Sequence, residues 1–298
     1  MNPPAARITR TIGLAYAKIN LTLEILARRD DGYHTLRSVM LPIALADEIT
    51  LEPAARFAFT CTPLELAPGN LVVRALERIG LGAAPFAVTL HKHIPVGAGL
   101  GGGSSDAAAV LRAAASGAFG VPPPRDWLAD ARALGSDVPF FLADAPALVE
   151  GTGERVTALG AAPPWWVVLA VPPVHVSTAD AYAKLAAERA AAAAPRRARS
   201  TSASVSCGAA LQRGDYAGVV AAMCNDFEAL IAGAYPAVRD TLDALTAAGA
   251  DRPLLSGSGG ACFTLAPDEH RAHDVAARIS GTTAAVHVVP FAAGVSWR

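Results

Sequence analysis

Cysteine is scarce in this chain, and clusters of it are absent. The four cysteines are widely spaced and form no C-x-x-C pair; they are Cys61, Cys207, Cys224 and Cys262. Zinc sites and disulfide frameworks use cysteines at short or regular spacings. The pattern therefore argues against both, and we interpret the four side chains as reduced, structural thiols.

An excess of charge and long apolar runs are also lacking. The net charge is −1, so there is no basic field to attract nucleic acid or an anionic membrane, and neither is expected as a partner. No uncharged apolar segment approaches the ~20 residues that span a bilayer. The opening residues Met1 to Pro4 do not have the basic and apolar pattern of a signal peptide. We expect a cytoplasmic protein.

Apolar residues, in contrast, are abundant. They make up 52% of the residues, which is enough for a large core. The length of 298 residues indicates two domains, predicted over 1–160 and 161–298. Alternating, hairpin-like segments are mixed with helical ones in both halves. This mixture favours the α+β fold class.

The most unusual stretch is a glycine loop, Pro95 to Ser105, which contains five glycines and runs into alanine-rich sequence. The first N–H groups of a helix lack internal partners, and glycine lets an anion approach them closely. Ser104 and Ser105 are suitable N-cap residues for that helix. The stretch therefore predicts a phosphate-binding loop at a helix N-terminus.

Two other phosphate motifs fit this stretch less well. No Gly-Lys-Ser/Thr follows the glycines, so it is not a Walker A loop. Gly97, Gly99 and Gly102 match G-x-G-x-x-G, but a dinucleotide fingerprint should follow a buried strand directly and have an acidic residue about 20 residues later. Here 91–95 intervenes and 120–124 is glycine, valine and proline. A glycine-rich turn without a ligand is the remaining alternative.

A strand is predicted from the alternation between Leu14 and Leu26. It places Lys18 and Asn20 together on the polar, open face, where a lysine is either simply solvated or functional. The Asp31-Gly32 pair after this strand predicts a hairpin turn. Tyr33 and His34 follow it, and they either pack over the hairpin or form a flat platform for a base.

Asp137 lies between a helix end at Gly135 and a very apolar run. It is either a turn residue or a partly desolvated carboxylate that can act as a base. A second glycine loop spans 254–261, in the other half of the chain. Two such loops with Lys18 and Asp137 suggest phosphoryl transfer from a nucleotide held in a cleft between domains.

The remaining elements follow from caps, periodicity and turn residues. Helices are predicted over 70–80 and 126–135, capped by Asn70 and Asp126, and over 177–194, 215–232, 235–248 and 268–279. Strands are predicted over 86–94, 147–158 with a turn at 151–153, 165–171 and 284–289. The basic, polar stretch 195–204 is interpreted as a mobile surface connection.

The glycine loop resembles the central phosphate-binding motif of the GHMP kinases, the small-molecule kinases for galactose, homoserine, mevalonate and phosphomevalonate. Leu255 to Ala261 resembles the third, C-terminal glycine motif of that family. Four more segments resemble one branch of it, whose acceptor is a cytidine diphosphate sugar alcohol; they are 17–21, 31–34, 135–140 and 225–228. The resemblance thus covers nearly the whole chain.

The resemblance implies both a fold and a reaction. The fold would be a two-domain α+β GHMP kinase, with an N-terminal domain like domain 2 of ribosomal protein S5 and a C-terminal ferredoxin-like domain. ATP, with Mg²⁺, would phosphorylate the 2-hydroxyl of the acceptor in the non-mevalonate route to isoprenoid precursors, in a monomer or weak homodimer. A homoserine or mevalonate type of GHMP kinase, and a nucleotide-binding protein without catalysis, are the alternatives.

Residue roles are also implied at the matching positions. Asp137 would be the base and Lys18 its partner on the acceptor hydroxyl, and Asn20 would line the acceptor site. Tyr33 would stack on the cytosine, and His34 would hydrogen-bond its edge.

Further contacts are implied from both halves. Thr178 and Tyr182 resemble the second-domain contacts to the cytidine, although Ala179 stands where a proline is frequent. Asp106 stands where asparagine is frequent; we expect it to turn away from phosphate to cap or pair, and no metal ligand is assigned. The implied ATP-binding residues are Pro95, Val96, Gly97, Ala98, Gly99, Leu100, Gly101, Gly102, Gly103, Ser104 and Ser105, and the second loop contributes Ser256, Gly257, Ser258 and Gly259.

Overall fold

The computed structural model describes residues 10–29, 34–119, 125–143, 145–191, 202–281, 285–292 and 296–297. Strands and helices alternate irregularly along the chain. The strands are β1 (Thr11–Arg28), β2 (His34–Pro53), β3 (Ala58–Thr62), β4 (Phe86–His91), β5 (Ala147–Gly151), β6 (Arg155–Ala158), β7 (Trp166–Val171), β8 (Cys224–Asn225), β9 (Leu254–Leu255), β10 (Cys262–Ala266), β11 (Ala285–Pro290) and β12 (Ser296–Trp297).

Most helices begin at a residue whose side chain accepts a first-turn N–H, such as Asn70, Asp126, Asp215 and Asp268. The helices are α1 (Leu71–Arg78), α2 (Gly102–Ala115), α3 (Trp127–Leu134), α4 (Val138–Ala143), α5 (Thr178–Ala191), α6 (Ala203–Gln212), α7 (Tyr216–Ala222), α8 (Glu228–Ala234), α9 (Pro236–Ala247) and α10 (Glu269–Ile279). Among the residues described, no helix is long and apolar enough to cross a membrane.

The long antiparallel pair β1–β2 is the centre of the larger sheet. Its strand order is β12-β1-β2-β4-β3, with β5 beside β2, β6 beside β5 and β8 beside β1. Each long strand changes partner along its length: β2 pairs with β5 over 36–40 and with β4 over 48–53. The smaller sheet is antiparallel, in the order β11-β7-β10-β9. The predicted α+β class is confirmed.

The strand β1 connects two hydrophobic clusters. Ala15 packs in the cluster beneath α1 and α2, whereas Ala17 and Ile19 pack between the two sheets, against Val167 and Phe263. Strict alternation along the predicted strand would place Ala15 and Ala17 on one face, but they pack in different clusters. The register with β2 shifts between Tyr16 and Ala17, which redirects the side chains.

Two further predictions of secondary structure, one of a loop and one of a helix, also need correction. The stretch 195–204 does not end as a loop, because α6 begins at Ala203 and Ser202 caps it. Residues 195–201 lie outside the described part of the chain. The predicted helix 215–232 is interrupted by β8, whose Cys224 pairs with Thr22 of β1. In both places contacts with β1 override a weak local signal.

Candidate active site

A cavity of about 840 Å³ opens beside the glycine loop, between β1, α5 and the second glycine loop. Most of the predicted site residues face it. Those that line it are Lys18, Asn20, His34, Pro95 to Ser104, Asp137, Thr178, Tyr182, Gly257 and Ser258. Ser105, Ser256 and Gly259 are not among the lining residues, and Tyr33 lies outside the described part of the chain.

The glycine loop turns through alternate left-handed residues. Gly97, Gly99 and Gly101 have φ values of 70°, 82° and 71°, which favour glycine. Gly101 is the N-cap of α2, and within the described residues no side chain caps that helix. The prediction that Ser104 or Ser105 is the N-cap is therefore wrong. The first-turn N–H groups of α2 are left available to an anion.

The two glycine loops contact each other through their backbones. Ala261 N donates to Ala98 O at 3.0 Å, and Ser256 Oγ donates to Gly99 O at 3.2 Å. A Cβ on Gly99 would overlap Ser256 O, and one on Gly259 would overlap the backbone of Ala98. The absence of side chains is what allows this approach, which joins the two halves of the chain at the phosphate-binding loop.

Lys18 is buried, not solvated as an open strand face implied. Its Nζ donates to Asn20 Oδ1 at 2.6 Å and to Gly99 O at 2.7 Å, and its backbone N donates to Leu100 O at 3.0 Å. Lys18 Nζ also lies 3.8 Å from Asp137 Oδ2. Burial lowers the pKa of Lys18, and the attraction of Asp137 acts in the opposite direction.

Asn20 is held by a chain of buried groups. Its Nδ2 donates to Ser38 Oγ at 2.8 Å, and Ser38 Oγ donates to Thr22 O at 2.6 Å. The Asn20 amide oxygen therefore points toward the ammonium of Lys18. This orientation fixes the position of the lysine, whose side chain would otherwise have many rotamers.

Asp137 precedes α4 in a tight turn, where Val138 N donates to Gly135 O at 3.2 Å. Its side chain is 39% exposed, and it faces the cavity opposite Lys18. The turn and the apolar start of α4 hold a carboxylate at the boundary between core and solvent. Such a group can both pair with Lys18 and accept a proton from a bound ligand.

Aromatic side chains form one wall of the cavity. The rings of His34 and Tyr182 lie 5.5 Å apart between centroids, and Tyr182 meets Phe227 edge-on at 4.8 Å. Burial, with a smaller effect of Asp137, raises the pKa of Tyr182 to about 12. Thr178 accepts a hydrogen bond from Ser258 Oγ at 3.0 Å, which links this wall to the second glycine loop.

The sequence interpretation missed a charged cluster behind the glycine loop. Lys92 Nζ contacts buried Asp47, and it donates to buried Asp106 Oδ2 at 2.7 Å. Burial opposes the charge of Lys92, but the two carboxylates outweigh burial and raise its pKa. Burial also raises the pKa of Asp106 to about 7. Lys92 stands three residues before Pro95 in the sequence, and that proximity was the available signal.

Asp106 pairs with Lys92, as predicted, but it also lines the cavity, so its turning away from phosphate stays a prediction. Asn70 and Leu71 also line the cavity, beside Ile94 and Val96. Asn70 was predicted only as a helix cap, which it is. No feature of the sequence indicated that Asn70 also lines the cavity.

Comparison with known proteins places this geometry in a family. Residues 70–145 match the GHMP kinases N terminal domain, and residues 209–283 match the GHMP kinases C terminal domain. The chain belongs to the GHMP kinase family, the small-molecule kinases. It is accordingly an ATP-dependent kinase with a small-molecule acceptor.

Within that family, the relatives that match over most of the chain include 4-diphosphocytidyl-2-C-methyl-D-erythritol kinases. The protein of that name from Moorella thermoacetica is 39% identical, over 90% of this chain and 94% of its own length. That from Symbiobacterium thermophilum is 43% identical, over 85% and 89%. A crystal structure of 4-(cytidine 5'-diphospho)-2C-methyl-D-erythritol kinase superposes with a TM-score of 0.77 at 32% identity, over 95% of this chain and 100% of the other.

Proposed function

We propose that this protein transfers the γ-phosphoryl group of ATP to the 2-hydroxyl of 4-diphosphocytidyl-2-C-methyl-D-erythritol, in the non-mevalonate route to isoprenoid precursors. The class of reaction follows from the family, and the acceptor follows from the names of relatives at 39% and 43% identity. The observation that carries the proposal is the approach of Lys18 Nζ and Asp137 Oδ2, 3.8 Å apart at the cavity beside the glycine loop.

The nucleotide phosphates are proposed to lie on the glycine loop. The uncapped N-terminus of α2 and the left-handed glycines offer backbone N–H groups and the positive end of a helix dipole. Phosphoryl transfer needs little covalent help from the protein, because positioning and charge stabilisation supply most of the rate. The loop would supply both to the β- and γ-phosphates.

At the acceptor hydroxyl, Asp137 is proposed to accept the proton. The hydroxyl oxygen forms a bond to the γ-phosphorus, the bond from that phosphorus to the bridging oxygen breaks, and ADP leaves. Lys18 donates to the same hydroxyl oxygen and stabilises its developing negative charge. Asn20 and Gly99 hold the ammonium in place through the bonds at 2.6 and 2.7 Å.

Mg²⁺ is proposed to arrive with the nucleotide. Among the described residues, no group of three or more His, Cys, Asp or Glu side chains could hold a metal ion. Mg²⁺ in kinases is bound mainly by phosphates and water, with one or two protein oxygens. Ser104 lines the cavity and offers such an oxygen, so the residues fit. When bound, the ion neutralises phosphate charge.

The base of the acceptor is proposed to bind near the aromatic wall. His34 and Tyr182 line the cavity and offer ring surfaces and hydrogen-bonding edges. Tyr33, whose position lies outside the described residues, is proposed to stack on the cytosine. Thr178 would contact the cytidine from α5.

A panel of acceptors tests the proposal. Purified protein is incubated with ATP and Mg²⁺ and, separately, with the cytidyl substrate, homoserine, mevalonate and phosphomevalonate, and ADP release and product mass are measured. We expect turnover of the cytidyl substrate alone. Turnover of homoserine or mevalonate without the cytidyl substrate would identify a different GHMP kinase and contradict the acceptor assignment.

The proposal includes a location and an assembly state. The acceptor carries a charged diphosphate that does not cross a membrane unaided, which supports a cytoplasmic location. We expect a monomer or a weak homodimer. Sedimentation across a hundredfold range of protein concentration checks the assembly state, and cell fractionation checks the location.

A further inference from the structure

The segment 225–228, Asn-Asp-Phe-Glu, is a motif to which the proposed mechanism gives no role. In the structure, Asn225 spans two elements. Its Nδ2 donates to Leu255 O at 2.8 Å and to Gly257 O at 2.7 Å, and its Oδ1 accepts from Phe227 N at 2.9 Å. Both N–H donors of this amide and one of the two lone pairs on its oxygen are thereby used.

The backbone around Asn225 is fixed to the strand that carries Lys18. Asn225 stands opposite Leu23 in the parallel β1–β8 pair, and Asp226 N donates to Leu23 O at 2.9 Å. The carboxylate of Asp226 accepts from Ile25 N at 2.9 Å. Asn225 is therefore placed by β1, and it holds the second glycine loop relative to that strand.

Gly257, the residue that Asn225 holds, packs directly on the lysine. It is left-handed, with φ 60°, and a Cβ built on it would lie 3.2 Å from Lys18 Nζ and 3.0 Å from Gly99 O. Gly257 thus lies against the ammonium, next to the two acceptors of Lys18, Asn20 Oδ1 and Gly99 O. This part of the second loop presents neutral backbone, and the carboxylate that faces Lys18 is that of Asp137.

We propose that Asn225 is a positioning residue for phosphoryl transfer: by holding Gly257 O, it keeps the second glycine loop closed over Lys18. The inference rests on the proposed function of Lys18. Two neutral hydrogen bonds from this half-buried amide hold the carbonyl groups of Leu255 and Gly257, in addition to the bonds that Ser256 and Ser258 make to Gly99 and Thr178. Release of the loop would admit water to the ammonium, and the lysine would lose its fixed direction toward the acceptor hydroxyl.

The test compares Asn225→Ala and Asn225→Asp with a matched control. In Asn225→Asp, one carboxylate oxygen still accepts from Phe227 N. The other oxygen replaces the amide NH₂ and faces the carbonyl oxygens of Leu255 and Gly257. We expect kcat to fall about 30-fold or more in both variants, while the KM for ATP changes less than threefold. We also expect the pH at which kcat declines on the basic side to move upward in Asn225→Ala, because a hydrated ammonium keeps its proton longer.

Tyr216→Phe is the control. The single proton of Tyr216 OH lies between two acceptors, Asp251 Oδ2 at 2.8 Å and Leu265 O at 3.0 Å, and Tyr216 does not line the cavity. We expect a comparable loss of thermal stability, with kcat within twofold of the parent. Equal kcat losses in the control, or an unchanged kcat and pH profile in folded Asn225 variants, would overturn the inference. Failure of both Asn225 variants to fold would overturn it too, since the residue would then be structural.

The acceptor used for these rates is the one that the parent protein phosphorylates in the panel. If that acceptor is not the cytidyl substrate, the proposed acceptor fails, and the comparison of variants still decides the role of Asn225. The two failures are therefore separate.

Discussion

At the scale of single residues, the structure brings together two side chains whose proximity no sequence pattern could show. Lys18 lies on β1 and Asp137 lies before α4, and the atoms Nζ and Oδ2 are 3.8 Å apart. The residue types and their local contexts made both residues candidates without deciding their roles, because a lysine on a polar strand face is often only solvated and an aspartate between elements is often a turn residue. Their distance depends on how the larger sheet and α4 pack.

Replacement of Asp137 tests its role as the base. Asp137→Asn keeps the shape of the side chain but removes its basicity, so we expect kcat to fall about 10²–10⁴-fold. Binding of ATP should survive, since the glycine loop is unchanged. Steady-state rates and nucleotide titration measure the two effects. A kcat within threefold of the parent would remove Asp137 from the mechanism.

Replacement of Asp106 tests the cost of its buried charge. A carboxyl whose pKa is raised from 3.8 to about 7 binds its proton more tightly in the folded chain than in the unfolded chain. The free energy of unfolding therefore decreases as the pH rises from about 4 to about 7. Asp106→Asn lacks this dependence and keeps the contact of Lys92 with Asp47.

We accordingly expect Asp106→Asn to gain stability over the parent as the pH rises, by at most about 4 kcal/mol at pH 8. Urea unfolding of both proteins at pH 5, 6.5 and 8 measures the difference. A difference that is the same at all three pH values would show that Asp106 does not titrate in this window.

The polar face of β1 shows why residue environments were harder to predict than residue types. Alternation correctly placed Lys18 and Asn20 on one side of the strand. It predicted an open face, whereas both residues are buried, with 3% exposed. The second glycine loop covers this face, and a contact between distant segments leaves no trace in local periodicity.

At the scale of elements, capping residues predicted helix starts well wherever they stood before an amphipathic segment. Asn70 and Asp126 are examples. The helix α6 escaped prediction because its small side chains give no clear amphipathic pattern. It is fixed instead by β1: Glu24 accepts from Ser202 Oγ at 2.5 Å and from Ser204 N at 3.0 Å.

Glu24 provides a test of this attachment. Burial by itself would raise its pKa, but the hydrogen bonds from Ser202 and Ser204 outweigh burial, and the pKa is lowered. A lowered carboxyl pKa contributes stability above the ordinary value of 4.5, and that contribution is lost as the pH falls. We expect Glu24→Gln to cost about 1 kcal/mol at pH 7 and nothing near pH 3.

The matched control is Glu52→Gln, which removes an exposed ion pair with Arg10. Such pairs contribute little, so its cost should stay below about 0.5 kcal/mol. Denaturant unfolding at both pH values compares the two variants. Equal effects of the two substitutions at pH 7 would show that Glu24 does not hold α6.

At the scale of the whole molecule, the two halves of the chain are joined through the glycine loops and through β1. The family resemblance predicted a two-domain α+β kinase, and the sheets and the matched family regions agree with it. The division at residue 160 stays a prediction. Two strands from beyond it, β8 and β12, pair with β1, and composition alone could not indicate such an exchange.

Gly99→Ala tests the joint between the loops. The new Cβ would stand at φ 82° and overlap Ser256 O, so the second loop must move. We expect a loss of about 2–4 kcal/mol in unfolding free energy together with weaker ATP binding. Urea unfolding and ATP titration measure the two effects.

Gly233→Ala serves as the control for that substitution. Gly233 lies in α8 with nothing within 4 Å of a built Cβ. Alanine there should stabilise the protein by about 0.5–1 kcal/mol. Gly99→Ala with the stability and ATP affinity of the parent would mean that the loops tolerate separation.

Because strands from both halves of the chain pair with β1, the points at which this enzyme can be recombined with its relatives are restricted. A chimaera that takes residues 1–160 from one parent and 161–298 from another would mismatch β1 against its β8 neighbour, where Thr22 and Leu23 meet Cys224 and Asn225. Hybrids that take both 11–28 and 224–228 from the same parent keep the β1–β8 pairing of that parent. Crossover points chosen in this way should give folded hybrids, whereas a cut at the midpoint of the chain should not.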